Sequence, residues 1–159
     1  MTLTVETGSR SDTERLAGLL AALLSGGELL LLLGELGAGK TCFVRGLVRG
    51  LGGNERQVRS PSYNILRQYA EPRIPLDHFD AYFVREEEEF RRNGLEEFLE
   101  LRHVVAVEWA DRFPGAFEDP DLTILLEHLP GERRRVTLRP GGEEMTRRIS
   151  ELRTAWEAR

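Results

Sequence analysis

The sequence is short of cysteine, of long apolar runs and of positive charge, and each shortage excludes a class of protein. Cys42 is the only cysteine, so the chain forms no internal disulfide. No run of apolar residues approaches the roughly 20 that a membrane helix needs. Residues 1–10 lack the basic segment and apolar core of a secretory signal. We therefore expect a cytoplasmic protein without a membrane span.

The net charge argues against a protein that binds nucleic acid directly. The chain has 22 Lys and Arg residues against 27 Asp and Glu residues, which gives a formal net charge of −5. Binding to a nucleic-acid backbone depends on a basic surface. We therefore expect no binding to DNA, and contact with RNA only through a partner protein.

The length of 159 residues fits one domain. Such a chain buries about 70% of the surface that its unfolded form exposes. The expected domain comprises residues 1–142, and a charged helix over residues 143–159 packs on that domain or extends from it.

The stretch from Leu29 to Thr41 carries the clearest functional signal. Its five leucines predict a strand buried on both faces, and the turn that follows opens a helix. The turn satisfies G-x-x-x-x-G-K-[ST], the phosphate-binding loop, whose backbone N–H groups surround phosphate oxygens. In such a loop Lys40 reaches the β- and γ-phosphates of ATP, and the Thr41 hydroxyl binds Mg²⁺. The predicted nucleotide site includes Gly34, Glu35, Leu36, Gly37, Ala38, Gly39, Lys40, Thr41 and Cys42. We interpret Cys42 as a small buried residue rather than a redox centre.

The rest of the chain alternates strand and helix patterns around this loop. We expect an α/β fold of the P-loop NTPase type, a single domain of three layers with a mostly parallel central sheet and added antiparallel strands. The predicted strands are Thr2–Glu6, Leu29–Leu33, Ile65–Tyr69, two strands ending in Asp80 and Glu108, and a pair over Leu122–Leu126 and Arg135–Leu138. The predicted helices begin after an N-cap at Ser11, at the phosphate loop, near Glu86, at Gly94 and at Glu143.

Two acidic residues, Asp80 and Glu108, follow predicted strands, where a metal ligand belongs. Ligands of open α/β sheets bind beyond the carboxyl ends of the strands. Both side chains are therefore candidates to hold Mg²⁺ or to orient the attacking water, which makes them candidate catalytic residues together with Lys40. Acidic residues also follow strands without a function, and that alternative stays open. His78 shares a strand face with Asp80, either as a neighbour in the site or as a structural histidine.

The segment Val58–Asn64 is polar and broken by a proline just after the loop helix. In phosphate-loop NTPases this region often senses the γ-phosphate and places a Ser or Thr near the metal. Ser60 and Ser62 are the candidates for that role. A plain surface turn is an equally good interpretation.

Four of these stretches, in this order, resemble the motifs of the TsaE (YjeE) ATPases. They are Gly34–Thr41, Ser60–Tyr63, His78–Tyr82 and Val107–Trp109, and the resemblance spans roughly residues 11–139. It implies a bacterial protein that hydrolyses ATP with Mg²⁺ and acts with TsaB and TsaD to make threonylcarbamoyladenosine in tRNAs that read codons beginning with A. It further implies that the ATPase resets the transferase and does not itself transfer the group.

The resemblance also implies roles for individual residues. Lys40 and Thr41 would bind phosphate and metal, Asp80 and Glu108 would serve the metal or the water, and Ser60–Tyr63 would form a switch-like loop. Trp109 matches a family tryptophan near the nucleotide, with a buried core aromatic as the alternative.

One departure from the family pattern concerns a missing arginine. Phe83 stands where the family commonly has arginine, and Arg85 is a candidate substitute. We therefore expect slow hydrolysis by the chain alone, with stimulation by the TsaB–TsaD dimer. Two other classes of function remain open at this stage: a small-molecule P-loop kinase, whose lid region here, Glu86–Glu89, is acidic, and a nucleotide-dependent binding module with little turnover.

Overall fold

A computed structural model describes residues 1–60 and 64–158, and within those residues seven strands form one sheet with helices on both faces. The strands are β1 (Leu3–Thr7), β2 (Leu29–Leu33), β3 (Leu66–Tyr69), β4 (Leu76–Asp80), β5 (Val104–Glu108), β6 (Leu122–His128) and β7 (Arg134–Pro140). The α-helices are α1 (Arg10–Ala21), α2 (Lys40–Gly50), α3 (Glu88–Arg92), α4 (Leu95–Glu100) and α5 (Glu143–Glu157). None of the helices in the described ranges is both long and apolar enough to span a membrane.

The centre of the sheet is parallel and its margins are antiparallel. The strand order is β1-β7-β6-β2-β5-β4-β3. Strands β6, β2, β5 and β4 run parallel to one another, whereas β3, β7 and β1 join as antiparallel neighbours. The predicted mostly parallel sheet with added antiparallel strands is confirmed. Because β2, β4 and β5 point the same way, their carboxyl ends meet at one edge.

The five leucines of β2 are divided between two cores, which confirms a strand covered on both faces. Leu30 and Leu32 lie in the core beneath α1, α2 and α5. Leu29 is buried in the opposite core, which contains Phe79 and Phe90 and against which Leu31 and Leu33 pack. A strand that alternates between two apolar layers needs apolar residues at every position. The loop that follows β2 therefore lies at the carboxyl end of the central strands.

Helix α1 begins two residues earlier than its serine pattern predicts. The N-cap is Ser9, not Ser11, and the Ser9 hydroxyl accepts a hydrogen bond from the Asp12 backbone N–H at 3.1 Å. The Asp12 carboxylate accepts in return from the Gly8 N–H at 3.0 Å. These two hydrogen bonds satisfy N–H groups on both sides of the helix start and fix Ser9 as the N-cap.

Helix α5 packs on the same core as the rest of the chain. Met145, Ile149 and Leu152 recur at helical spacing and are all buried in the core that α1 and α2 also cover. The Arg148 guanidinium lies 2.7 Å from the buried Glu28 carboxylate at the start of β2. The charged C-terminal helix therefore packs on the sheet through both apolar contacts and an ion pair.

Helices α1 and α2 approach so closely that a methyl group at their contact is expected to destabilise the fold. A Cβ at Gly46 would lie 2.4 Å from the Glu14 carbonyl oxygen and 2.7 Å from the Ala17 Cβ. We expect Gly46→Ala to lower the free energy of unfolding by about 1–3 kcal/mol, measured by urea denaturation. The matched control is Gly18→Ala on the facing helix, where the nearest atom would be 3.7 Å away. If Gly18→Ala lowered the free energy of unfolding as much as Gly46→Ala does, the loss would not come from the close packing at Gly46.

Candidate functional site

The loop between β2 and α2 forms a backbone cradle built on glycines. Gly34, Gly37 and Gly39 have φ angles of 148°, 79° and 107°, which side chains other than glycine rarely adopt. A Cβ at Gly34 would also lie 2.5 Å from the Leu126 carbonyl oxygen of β6. Helix α2 begins at Lys40 without a side-chain cap among the described residues. Its first N–H groups therefore face the cradle as donors for an anion.

Lys40 lies inside this cradle and is almost fully buried. Its Nζ donates hydrogen bonds to the carbonyl oxygens of Gly34 at 2.5 Å and Glu35 at 2.9 Å. Burial lowers the pKa of Lys40 below its ordinary value, although the carboxylates of Glu108 and Asp80 oppose that shift. The ammonium group therefore sits beside the place where the motif puts the phosphates.

Glu108 ends β5 and meets Thr41 at the start of α2. The Thr41 hydroxyl donates to Glu108 Oε1 at 3.0 Å, and His78 Nε2 lies 3.0 Å from Glu108 Oε2. Burial by itself raises the pKa of Glu108, but the hydrogen bonds from His78 and Thr41 outweigh it, so the pKa is lower than usual. The buried Glu108 side chain is accordingly a carboxylate at neutral pH. His78, which the sequence left between two interpretations, is a fully buried partner of that carboxylate.

Asp80 lies beside Glu108 in the register of β4 and β5 but has different neighbours. Asp80 Oδ2 accepts from the Ser60 hydroxyl at 3.2 Å, and Oδ1 accepts from the Tyr82 N–H at 2.8 Å. Ser60 is thus brought to the sheet edge next to a carboxylate. Ser62, the other serine predicted for the switch-like segment, lies outside the described residues, as does Tyr63.

A cavity of about 790 Å³ opens above this edge, within the range of small-molecule sites. Predicted site residues on its wall are Leu36, Gly37, Gly39, Lys40, Thr41, Cys42, Ser60, Glu108 and Trp109. Four predicted residues in the described ranges do not line the cavity: Gly34, Glu35 and Ala38 belong to the loop, and Asp80 lies next to Ser60.

Several residues on the cavity wall were not among the site residues predicted from the sequence. They include Arg10 at the start of α1, Arg45 on α2, Arg134 on β7, and the exposed aromatic residues Tyr82 and Phe83. Arg85, the predicted substitute for the missing family arginine, is not among the described residues that line the cavity. No local motif points to these arginines, because they reach the cavity from three different elements.

Residues 7–136 match the family model described as "Threonylcarbamoyl adenosine biosynthesis protein TsaE". The chain belongs to the TsaE family. The match covers the loop, both strand-end carboxylates and strand β6, and it confirms the resemblance seen in the four sequence motifs.

Individual relatives agree with the family assignment. The TsaE protein of Bacillus subtilis is 36% identical over 133 residues, which cover 84% of this chain and 75% of that protein. The TsaE protein of Treponema pallidum is 35% identical over 130 residues, covering 82% and 95% of the two chains. A crystal structure of Bacillus subtilis YdiB superposes with a TM-score of 0.80 at 28% identity, over 98% of this chain and 96% of that one.

Trp109 occupies a strained position in this TsaE-family site. Its φ of 60° lies in the left-handed region, which bulky residues seldom adopt. The Lys40 Nζ lies 4.0 Å from the centre of the Trp109 ring, within cation–π range, and the Tyr82 ring lies 5.0 Å from it. Trp109 therefore lines the cavity and contacts Lys40 of the loop. It is not a fully buried core residue.

Cys42 lies on the cavity wall, but its thiol is not activated for chemistry. Burial raises the pKa of the Cys42 thiol to about 11, and the charge of Glu14 acts in the same direction. A thiol that stays protonated at neutral pH is a poor nucleophile and a poor redox centre. This agrees with the predicted small buried residue of the first helical turn.

The donor set of the site fits Mg²⁺ in the presence of a nucleotide. Among the described residues, no group of three His, Cys, Asp or Glu side chains is placed to hold a metal. The Thr41 hydroxyl and the Glu108 carboxylate are hard oxygen donors that meet at 3.0 Å. Since Mg²⁺ in nucleotide sites is typically bound by one or two carboxylates together with phosphates and waters, these oxygens are compatible with such a metal.

Proposed function

We propose that this chain is a Mg²⁺-dependent, ATP-hydrolysing component of tRNA threonylcarbamoyladenosine biosynthesis in the cytoplasm. The observation that carries the proposal is the meeting of Thr41 with Glu108, beside Lys40, at the wall of a cavity of about 790 Å³. A phosphate cradle, a buried cation and a buried carboxylate at one sheet edge are the parts that phosphoryl-transfer sites of the P-loop type require.

The proposed roles follow from the contacts of each residue. The loop N–H groups and Lys40 bind the β- and γ-phosphates, for which Lys40 exchanges its bonds to the Gly34 and Glu35 carbonyls. Thr41 and Glu108 hold Mg²⁺, which when bound neutralises charge on the phosphates. Glu108 also orients the attacking water or accepts its proton. His78 keeps that carboxylate in place. Asp80 serves the same metal through its water shell, with Ser60 as its neighbour.

We further propose that the chain acts with TsaB and TsaD on tRNAs that read codons beginning with A, and that it resets the transferase. The net charge of −5 supports contact with tRNA through these partners and not through the chain itself. Leu36 is 87% exposed and Phe83 is 54% exposed, both on the cavity wall. Exposed apolar side chains at the mouth of a site favour a protein partner that covers them.

The expected result is slow ATP hydrolysis by the chain alone and a rise of at least about tenfold with the TsaB–TsaD dimer, because ordering of the site and added positive charge accelerate phosphoryl transfer. The measurement is single-turnover hydrolysis at fixed salt with and without the dimer, alongside direct tRNA binding by the chain.

Three outcomes would contradict parts of this proposal. Labelled phosphate on an added metabolite would favour a small-molecule kinase. ATP binding without hydrolysis, even with saturating dimer, would favour a nucleotide-dependent binding module. Tight tRNA binding by the chain alone would overturn the indirect contact with tRNA.

A further inference from the structure

Arg134, the first residue of β7, reaches across to the phosphate-binding loop. Its Nε donates to the Ala38 carbonyl oxygen at 3.1 Å, and its Nη2 lies 3.5 Å from the Gly37 carbonyl oxygen. The Nε atom also lies 3.8 Å from the position that a Cβ on Gly39 would occupy. The guanidinium group is thus in contact with the tip of the loop, 96 residues away in sequence from Ala38.

The direction of the loop carbonyls gives these contacts a physical meaning. A phosphate cradle turns backbone N–H groups inward, so that carbonyl oxygens point away from the anion and need donors of their own. Arg134 supplies donors to two successive carbonyls, those of Gly37 and Ala38. A planar guanidinium with several N–H groups in fixed directions suits two adjacent acceptors better than an ammonium group does.

The two neighbouring arginines make different contacts. The Arg133 guanidinium is exposed, pairs with Glu6 and donates to the Pro130 carbonyl oxygen. The Arg135 guanidinium faces Glu6 and Glu127 at 4.0 Å. Of these three consecutive arginines, all in the described part of the chain, Arg134 is the one that lines the cavity. The contact with the loop is therefore specific to one position in β7.

We propose that Arg134 is a positioning residue that holds the phosphate-binding loop in its anion-binding conformation before the nucleotide arrives. The proposal rests on the proposed function, since it assigns a task within the same nucleotide site. By fixing the Gly37 and Ala38 carbonyls outward, Arg134 keeps the loop N–H groups aimed at the phosphates. Because the loop is then ordered in advance, less conformational entropy is lost when ATP or ADP binds. Arg134 does not contact the reacting atoms in this role.

This role predicts a particular pattern of losses in Arg134→Ala. The affinity for ATP and for ADP is expected to fall by about tenfold, equally for both, because two hydrogen bonds that order the loop are removed. The rate at saturating Mg-ATP is expected to stay within about threefold of wild type, because the residue acts on binding and not on the transferred phosphate. In the nucleotide-free protein, hydrogen exchange of the amides of residues 34–39 is expected to accelerate.

The experiment compares Arg134→Ala and Arg134→Lys with the matched control Arg133→Ala. Titration calorimetry with ATP and ADP, single-turnover hydrolysis and hydrogen exchange monitored by mass spectrometry are measured on each full-length protein. We expect Arg134→Lys to recover part of the affinity, since one ammonium can satisfy one of the two carbonyls. Arg133→Ala should match wild type in all three measurements. Arg134→Lys also provides the comparison if the alanine variant does not fold.

The outcomes separate this inference from the proposed function. A wild-type protein that binds neither ATP nor ADP would overturn the proposed function, whereas loop exchange would still decide whether Arg134 orders the loop. Wild-type nucleotide affinity and unchanged loop exchange in both Arg134 variants would overturn the inference alone. A loss confined to the rate at saturation, with affinity retained, would also overturn it, since Arg134 would then act on the transition state.

Discussion

Replacing Lys40 by alanine is expected to abolish productive binding or turnover of Mg-ATP while leaving the fold intact. Lys40 is 5% exposed, and its Nζ is held by the Gly34 and Glu35 carbonyls at the rim of the cradle. A charge-assisted contact with phosphate contributes about 1.5–3 kcal/mol, which corresponds to about 10- to 150-fold in affinity. Hydrolysis should fall further, to background, because the β- and γ-phosphates lose the cation that positions them.

Lys40 offers a second measurement because it is the only lysine in the chain. An amine-acylating reagent will mark Lys40 and the N-terminus, and Mg-ATP should protect Lys40 selectively. Calorimetry, circular dichroism and thermal unfolding of Lys40→Ala complete the test, with Arg133→Ala as the control for loss of an exposed cation. A Lys40→Ala protein with wild-type affinity and hydrolysis, or a Lys40 that is acylated equally with and without Mg-ATP, would remove this residue from the site.

Replacing Glu108 by alanine is expected to reduce hydrolysis by about 10²–10⁴-fold with far less effect on nucleotide affinity. The Glu108 carboxylate contacts the Thr41 hydroxyl and His78, and it lines the cavity. Loss of a general base or of a metal-bound carboxylate acts on the chemical step rather than on the binding of base and sugar. Glu108→Gln, which keeps the size of the side chain but removes its charge, should lose activity almost as completely.

Asp80→Ala should also reduce hydrolysis, and it should raise the Mg²⁺ concentration needed for half-maximal rate. This carboxylate bonds Ser60 and the Tyr82 N–H and stands beside Glu108 in the sheet. The control for both variants is Glu127→Gln, an exposed carboxylate of β6 that faces Arg135 and does not line the cavity. Equal hydrolysis by wild type, Glu108→Ala and Asp80→Ala, at saturating Mg-ATP with the TsaB–TsaD dimer present, would show that neither carboxylate belongs to the site.

Local patterns were sufficient wherever one segment decides its own structure. The strand of five leucines, the glycine turn and the helix opening at Lys40 follow one another without a break, so periodicity and turn chemistry specify all three. The strand ends at Asp80 and Glu108 are found for the same reason. The predicted start of α1 was wrong because two serines two residues apart both suit an N-cap. The hydrogen bond that the Gly8 N–H donates to the Asp12 carboxylate decides between them.

The sequence by itself determined the α/β class, the nucleotide loop, the two strand-end carboxylates and membership of the TsaE family. Only the tertiary structure decided which side chains meet around that loop: His78 on Glu108, Ser60 on Asp80, and Arg134 on the Ala38 carbonyl. The physical reason is that these contacts depend on the order and register of strands far apart in the chain. Periodicity identifies a strand and its buried face, but it carries no information about which strand becomes its neighbour.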